Sequence, residues 1–505
     1  MAAAEPAAEH VDVLIVGAGL SGVAAAYYLQ TRCPRRSYAI VEARGAMGGT
    51  WDLFRYPGIR SDSDMYTLGY SFAPWTGDRA IADGASIRAY IEETARAHGI
   101  DRRIRYHQRV VRAAWSSADA RWTVELARDG APPATMTCGF LYMCSGYYAY
   151  DRGHEPELAG AAGYRGRIVH PQAWPADLDH AGKRIVVIGS GATAVTLVPA
   201  LAATAAHVTM LQRSPSYVLS RPAVDATARR LRRALPARAA GELTRWKYVL
   251  LGAAFYQFCR RFPERARRLL TAGVRAQLGP DYDVDTHFNP RYQPWDQRLC
   301  LVPDADLFAA IRTGRADVVT DTIDRYTETG LALRSGRTLD ADVVVTATGL
   351  RLLFLGGVAL TVDGRAIEPA RARVYRSTML GGVPNLAMSI GYTNASWTLR
   401  CELIAGYVCR LLQRMERHGF ASVVAEPTAD DEPAELPLLA LGAGYVQRAV
   451  GDFPRQGAAD PWKVHQSYLR DLVALRHAPF DDGRLVFARA PVSRAHRASA
   501  RAAGA

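Results

Sequence analysis

Short runs of apolar and β-branched residues punctuate this chain, and the clearest of them stop at glycine. "VDVLIV" at 11–16 runs into "GAGLSG", and the "VAAAYYLQ" that follows has helical composition. A second short apolar run, "SYAIVE", ends in Glu42. Strand, glycine turn, helix and strand within about thirty residues imply parallel strands joined by a right-handed crossover. The same order restarts at "KRIVVIGSGATAVTLVPALAA", with "HVTMLQR" as its second strand. This is a duplicated supersecondary unit rather than a solenoid period. Between the two copies the pattern predicts a helix over 86–98, strands in "RVVRAAW" and "RWTVELA", and a buried strand in "FLYMCSG" at 140–146. Beyond them, "DADLFAAIRTG" and "ADVVTD" continue the α/β alternation, and "ADVVVTATG" at 341–349 reads as a buried strand. "NASWTLRCELIAGYVCRLLQRME" at 394–416 reads as a capped helix. Residues 221–295 are rich in Arg, Ala and Leu with weak strand signals, which predicts a helical insertion.

Length and composition narrow this picture. The chain has 505 residues, enough for about three units. Apolar content of 49% and charged content of 22% are those of a globular protein. The net charge is +13, but no aromatic-interleaved basic stripe or zinc-finger spacing accompanies it, which speaks against nucleic acid. Lys183, Lys247 and Lys463 are the only lysines, so the excess is almost all Arg in an Ala-rich chain and points to coding bias. An attraction for an anionic cofactor or a membrane surface is the other reading. The seven cysteines are scattered without a C-x-x-C, against a disulfide framework, a zinc site or a dithiol pair; reduced thiols in the cytoplasm are expected. The twelve histidines show no H-x-x-x-H spacing, so no metal is expected. The start "MAAAEPAAEH" has no secretory character, and no stretch offers 18 apolar residues for a membrane span. "RWKYVLLGAAFYQFCRRFPERARRLL" combines an apolar run with basic flanks, as a lid over a pocket or as a peripheral membrane contact. The Ala/Arg-rich tail from about Ser493 is expected to fray.

The glycine turns carry the first chemistry. Gly17, Gly19 and Gly22 form G-x-G-x-x-G between a strand and a helix, with Glu42 twenty residues beyond Gly22. Such a turn brings backbone and a helix N-terminus to a pyrophosphate, and the acid accepts hydrogen bonds from a ribose diol. The second copy is Gly189, Ser190, Gly191, Ala192, Thr193, Ala194, and its next strand ends in Gln212-Arg213-Ser214. Arg213 suits a ribose 2′-phosphate, where an acid would repel it. The first site therefore takes FAD and the second NADPH, so a hydride passes from nicotinamide to flavin. With no dithiol to receive electrons, dioxygen is the remaining acceptor. The fold class is α/β, with two Rossmann-like dinucleotide-binding domains, each three-layered around a parallel sheet. The FAD-binding domain is expected over 1–155 and 335–505, the NADP-binding domain over 156–220 and 296–334, and the insertion over 221–295.

Between the first strand pair and the first long helix lies "GGTWDLFRYPGIRSD" at 48–62. It matches in full the pattern [AG]-G-x-W-x-x-x-x-[FY]-P-[GM]-x-x-x-D of type I Baeyer–Villiger monooxygenases. "YRGRIVHPQAWP" at 164–175 resembles their fingerprint F-x-G-x-x-x-H-x-x-x-[FW]-[PD], with Tyr164 in place of Phe. The two glycine turns bracket it as in that family, and "ATG" at 347–349 resembles its late flavin-side strand. The resemblance runs from about residue 10 to about 480. It implies NADPH reduction of FAD, addition of dioxygen to give a peroxyflavin, and insertion of one oxygen atom into a ketone to give an ester or lactone. Oxygenation of sulfur, as in thioamides, is implied as a further reaction, and a flavin monooxygenase acting mainly on S or N is the alternative. The partners implied are dioxygen and a small apolar ketone or sulfur compound.

The resemblance also implies roles. Arg298, in "PWDQRL", would be the fixed cation at the reacting oxygen, and Asp62 the acid that holds it. Gly49, Thr50 and Trp51 would lie along the flavin, and Ser21 would hydrogen-bond its pyrophosphate. Val110 would touch adenine through its backbone, and Arg60 and Ser61 would reach the nicotinamide side. His170 would couple the two nucleotide domains rather than act as a base. Gln297 stands where the family often has a Lys gripping the 2′-phosphate, which leaves that grip mainly to Arg213.

Overall fold

A computed structural model describes residues 8–428, 431 and 436–489. The N-terminal seven residues and the Ala/Arg-rich tail lie outside the described residues.

The first sheet is built on Glu9–Val16, whose Val13, Leu14 and Ile15 are fully buried. A strand apolar on both faces belongs inside a parallel sheet covered by helices. It pairs in parallel with Tyr38–Val41 on one side and Ala131–Met143 on the other. Gln108–Ser116 and Arg121–Arg128 add an antiparallel extension, which accounts for their alternating burial. The second sheet is entirely parallel: Ala316–Thr320, His207–Gln212, Arg184–Ile188, Val343–Thr346 and Arg167–Val169, in that order.

That order corrects one boundary. Residues 335–349 were expected on the flavin side, yet Val343–Thr346 is a central strand of the second sheet, and the Gly330–Leu333 and Thr338–Asp340 strands pair beside it. A run of three Val and a Thr reads the same in either parallel core, so its pattern could not say which. The second unit therefore extends to Thr346, and the chain re-enters the first sheet at Ala359–Val362.

The two connectors, residues 144–166 and 347–358, run antiparallel. Leu353 N–H donates to Tyr147 O (2.8 Å), Ala149 N–H to Arg351 O (2.9 Å) and His154 N–H to Gly349 O (3.0 Å). They form a narrow joint between the units.

Residues 221–295 fold into Ala226–Ala234, Ala237–Arg261, Pro263–Leu278 and Val284–Phe288. The long helix Ala237–Arg261 is fastened to the first unit: Arg245 pairs with buried Glu402 (2.6 Å) and donates to Tyr66 O and Gly69 O. Pro263–Leu278 instead packs on Val218–Arg221 and Asp306–Arg312 of the second unit. Leu243, Trp246, Leu250 and Leu251 are exposed on the long helix. Among the described residues no helix is long and apolar enough to cross a membrane.

Candidate functional site

The first glycine turn is closed by backbone. Gly17 has φ +107°, and a Cβ there would lie 2.6 Å from Cys144 O; one on Gly22 would lie 1.9 Å from Gly17 O. No side chain fits at either place. Glu42, at the end of the adjacent strand, accepts from Ala18 N–H (2.8 Å) and Arg44 N–H (2.9 Å). Burial raises its pKa, and the two N–H donors and the Arg44 charge oppose that rise. Gln108 N–H donates to Glu42 O, which brings the strand carrying buried Val110 to the same end. Ser21, expected at the pyrophosphate, is buried: its hydroxyl accepts from Trp397 Nε1 (2.8 Å) and lies 3.2 Å from Cys401 Sγ. Its side chain ties the start of the helix Leu20–Arg32 to Trp397 and Cys401.

The aromatic, charged loop at 48–62 joins two cores. Gly49 lies against Gly19 so closely that a Cβ on it would be 3.3 Å from the Gly19 Cα. Thr50 Oγ1 is 3.4 Å from the Tyr150 hydroxyl, and Trp51 packs half-buried on the first unit's core. Phe54 and Tyr56 are buried in the second unit's core. Asp52 is buried and pairs with Arg44 (2.5 Å), Arg55 (2.8 Å) and Arg88 (3.0 Å). Arg88 sits on a distant helix, and nothing local in the sequence announces this pairing.

The second turn repeats the first with different neighbours. Gly189 has φ +139°, and a Cβ there would lie 2.4 Å from Ala347 O. Ser190 Oγ donates to Ser214 O (2.9 Å), tying the turn to the end of the next strand. Gly191 and Ala192 are exposed, and a Cβ on Gly191 would meet nothing within 4 Å. Thr193 lies beside the Tyr56 hydroxyl, and Ala194 is buried. Gln212 turns away, donating to His287 O (2.8 Å) and Thr320 Oγ1 (2.9 Å). Arg213 is exposed and pairs with no carboxylate among the described residues.

Between the turns stands Arg298. Its Nη2 is 3.5 Å from Asp62 Oδ2, and 31% of each side chain remains exposed. The carboxylate raises the already high pKa of the guanidinium, so the charge is permanent. Arg298 sits two residues before Cys300, whose thiol is 3.7 Å from Ser190 O and is pushed up to about 12 by burial. On the other side, Tyr147, Tyr148 and Tyr445 lie within reach of its charge. Tyr147 stacks edge-on with Tyr148 (4.7 Å) and with Trp397 (5.0 Å), the residue that holds Ser21. A fixed cation thus lies between the two glycine turns, behind an aromatic wall.

Of Arg60 and Ser61, both expected toward the nicotinamide, Arg60 reaches across to the second unit and Ser61 stays within the first. Arg60 pairs with Asp306 of the second unit (2.5 Å), and buried Ser61 accepts from Ser63 N–H (3.0 Å). His170 is buried on the joint. Its Nδ1 accepts from Gln172 N–H (3.1 Å), its Nε2 is 3.4 Å from Gly349 O, and Gln172 donates to Ala149 O (2.9 Å). It therefore touches both connectors, and burial lowers its pKa. The sequence reading missed Tyr147, Tyr148, Tyr445 and Asp306. Only the two former left a signal, since they follow the C-terminal end of a parallel strand, where such folds bind ligands. A hollow of about 300 Å³ lined by Tyr282, Ile311, Arg312 and Asp317 opens at the opposite, N-terminal ends of the second sheet's strands. Among the described residues no group of three or more His, Cys, Asp or Glu could hold a metal.

Residues 15–75 match the NAD(P)-binding Rossmann-like domain, and residues 79–228 the Flavin-binding monooxygenase-like family. The chain is 54% identical over 485 residues to the FAD-containing monooxygenase EthA of Mycobacterium tuberculosis (strain ATCC 25618 / H37Rv), across 96% of this chain and 99% of that protein. It is 50% identical over 480 residues to EthA of Mycolicibacterium smegmatis, across 95% and 97% respectively. A steroid monooxygenase solved in its oxidized form bound to NADP shares the fold, with TM-score 0.74 and 22% identity over 95% of this chain and 100% of that one.

Proposed function

The chain belongs to the FAD-containing monooxygenases, and we propose that it uses FAD, NADPH and dioxygen to convert an apolar ketone into an ester or lactone, with oxygenation of sulfur as a lesser reaction. The observation that carries this reading is the Arg298–Asp62 pair between two glycine turns.

FAD belongs at the first turn. The backbone there admits no side chain at Gly17 or Gly22, so the chain can approach a pyrophosphate closely, and the helix after Gly19 starts with free N–H groups. Glu42 suits the ribose, Val110 the adenine, and Gly49, Thr50 and Trp51 the flavin side. NADPH belongs at the second turn: Gly191 opens onto free space, and unpaired Arg213 with Ser214 faces the 2′-phosphate. The first sheet is then the FAD domain and the second, through Thr346, the NADP domain. When bound, the flavin accepts a hydride from NADPH and reacts with dioxygen.

The chain's own part is electrostatic. Arg298 presents a permanent charge, and with five N–H donors it can hold Asp62 and still point others at developing negative charge on oxygen. Asp62 fixes its direction. Tyr147 and Tyr148 cover one side of it, so the charge, still partly open to the cleft, stabilises an anion more than it would in bulk water. Free, buried cysteines fit a reducing compartment, and we place the enzyme in the cytoplasm.

The test is product analysis. Holoenzyme given NADPH, a linear ketone and a dialkyl sulfide is expected to make mainly ester from the ketone. Arg298→Ala should lower ester formation about 100-fold or more while flavin content stays unchanged. Sulfoxide as the sole product would favour the alternative reaction; unimpaired ester formation by the variant would end this account.

A further inference from the structure

The segment around Gly444–Gln447 reaches the cleft from a part of the chain with no sequence signature. It is held at two points. Gly442 N–H donates to Asp296 O (2.7 Å), two residues before Arg298, and the Arg448 guanidinium donates to Leu350 O (3.4 Å) on the joint. Its backbone passes so near the joint that a Cβ on Gly349 would lie 3.8 Å from the Tyr445 Cβ. Tyr445 sits between these anchors and faces Arg298, Asp62 and Tyr147. Its side chain is half-buried, and its hydroxyl has no hydrogen-bond partner among the described residues.

The hydroxyl is absent from the fully buried polar atoms and no group among the described residues takes its proton, so it is a donor open to an acceptor that enters the cleft. The charge beside it does not occupy it, since a guanidinium accepts no hydrogen bond. Asp62 is committed to Arg298. A ketone oxygen entering the cleft is the acceptor that matches.

We propose that Tyr445 is a substrate-binding residue whose hydroxyl donates to the carbonyl oxygen of the substrate, so that Tyr445 and Arg298 together select carbonyl compounds over substrates without an acceptor. This rests on the monooxygenase reading above. Burial keeps the phenol protonated at every working pH, as a donor must be. The hydrogen bond orients the carbonyl carbon toward the reacting oxygen and draws electron density from it. A sulfide has no such oxygen and gains nothing from Tyr445.

The test compares Tyr445→Phe with wild-type holoenzyme on a linear ketone and a dialkyl sulfide, together with ketone titration of the oxidised enzyme followed by flavin absorbance. Removing one hydrogen bond should lower kcat/KM for the ketone about tenfold and weaken ketone binding to match. The sulfide kcat/KM and the Kd of NADP+ should stay within twofold. An equal fall for ketone and sulfide, or an unchanged ketone value, overturns the proposal. If wild-type enzyme oxygenates neither substrate, it is the monooxygenase reading that fails.

Discussion

At Gly17 and Gly189 the backbone does the same thing. Both residues take positive φ, both donate N–H to the end of the neighbouring strand (Val41 O and Leu211 O, each 2.8 Å), and both lie under a carbonyl that forbids a side chain. What surrounds them differs. The third small position is Gly22 in one turn and Ala194 in the other. The strand beyond ends in buried, backbone-bonded Glu42 in one and exposed Arg213 in the other. The first mouth is packed shut by the 48–62 loop, with Gly49 against Gly19; the second opens onto free space at Gly191. Under the proposed assignment, one backbone device thus serves both FAD and NADPH. The difference lies in the side chains and the loop laid over the turn.

The sharpest way to break this comparison is at the third position. A Cβ at residue 22 would stand 1.9 Å from a backbone oxygen that cannot move aside. Gly22→Ala should cost about 3 kcal/mol, as overpacking does, and yield protein with little flavin. The reciprocal Ala194→Gly should cost only about 1 kcal/mol, through helix propensity, and keep its flavin. Thermal melts and flavin content of both variants decide it; a flavin-replete Gly22→Ala protein would mean the two turns are not packed as described.

Next in size is the contrast in charge. Arg213→Ala should raise the KM for NADPH about 10- to 100-fold, the range of one charge-assisted contact, with NADH changed less than twofold. Glu42→Gln should lower flavin retention and leave NADPH binding alone. Equal effects of Arg213→Ala on the two nicotinamide cofactors would remove the 2′-phosphate assignment.

Much of this was legible in the chain. The glycine turns, Glu42 and Arg213 are local signatures, because backbone clearance and charge at a helix N-terminus demand particular residue types at short spacing; Arg298 and Asp62 were named only through the family resemblance. The contacts that complete the cleft were not. Asp52 gathers Arg88, Arg60 meets Asp306, and Tyr445 reaches Arg298 across more than a hundred residues. No periodicity records such pairings. The contact of the Ser21 hydroxyl with Trp397 is another that only the packing reveals. The strand Val343–Thr346 was recognised and then given to the wrong sheet, since an all-apolar strand carries no address.

The joint between the units offers a pH test. Burial lowers the His170 pKa, so the unfolded chain binds a proton that the folded one resists. Its contribution to stability is therefore complete above the unfolded value of about 6.5 and is lost as pH falls toward the folded value. A proton on Nδ1 would also end its acceptance from Gln172 N–H. Between pH 7.5 and 5 the wild-type Tm should drop, with His170 adding up to about 1.4 kcal/mol per pH unit. His170→Gln should flatten that drop without abolishing it, because burial also lowers the pKa of His154 and His287. An identical slope in the variant would show that His170 does not report on the joint.

The smallest effect falls on the second unit alone. Tyr164 stands where the family fingerprint has Phe, and its hydroxyl donates to Ala341 O (2.9 Å) at the start of the strand Val343–Thr346. Its ring packs on Tyr326 in that unit's core (5.5 Å between centroids). Tyr164→Phe keeps the ring and removes only the donor, leaving a buried carbonyl short of one partner, at a cost of about 1 kcal/mol. For a unit of this size that is a Tm shift of about 2–4 °C. Flavin content should not change, because the first sheet does not touch this bond, whereas NADP+ binding should weaken less than twofold. A loss of flavin in Tyr164→Phe would mean that the second sheet props up the first turn, and that the two mouths are not independent devices.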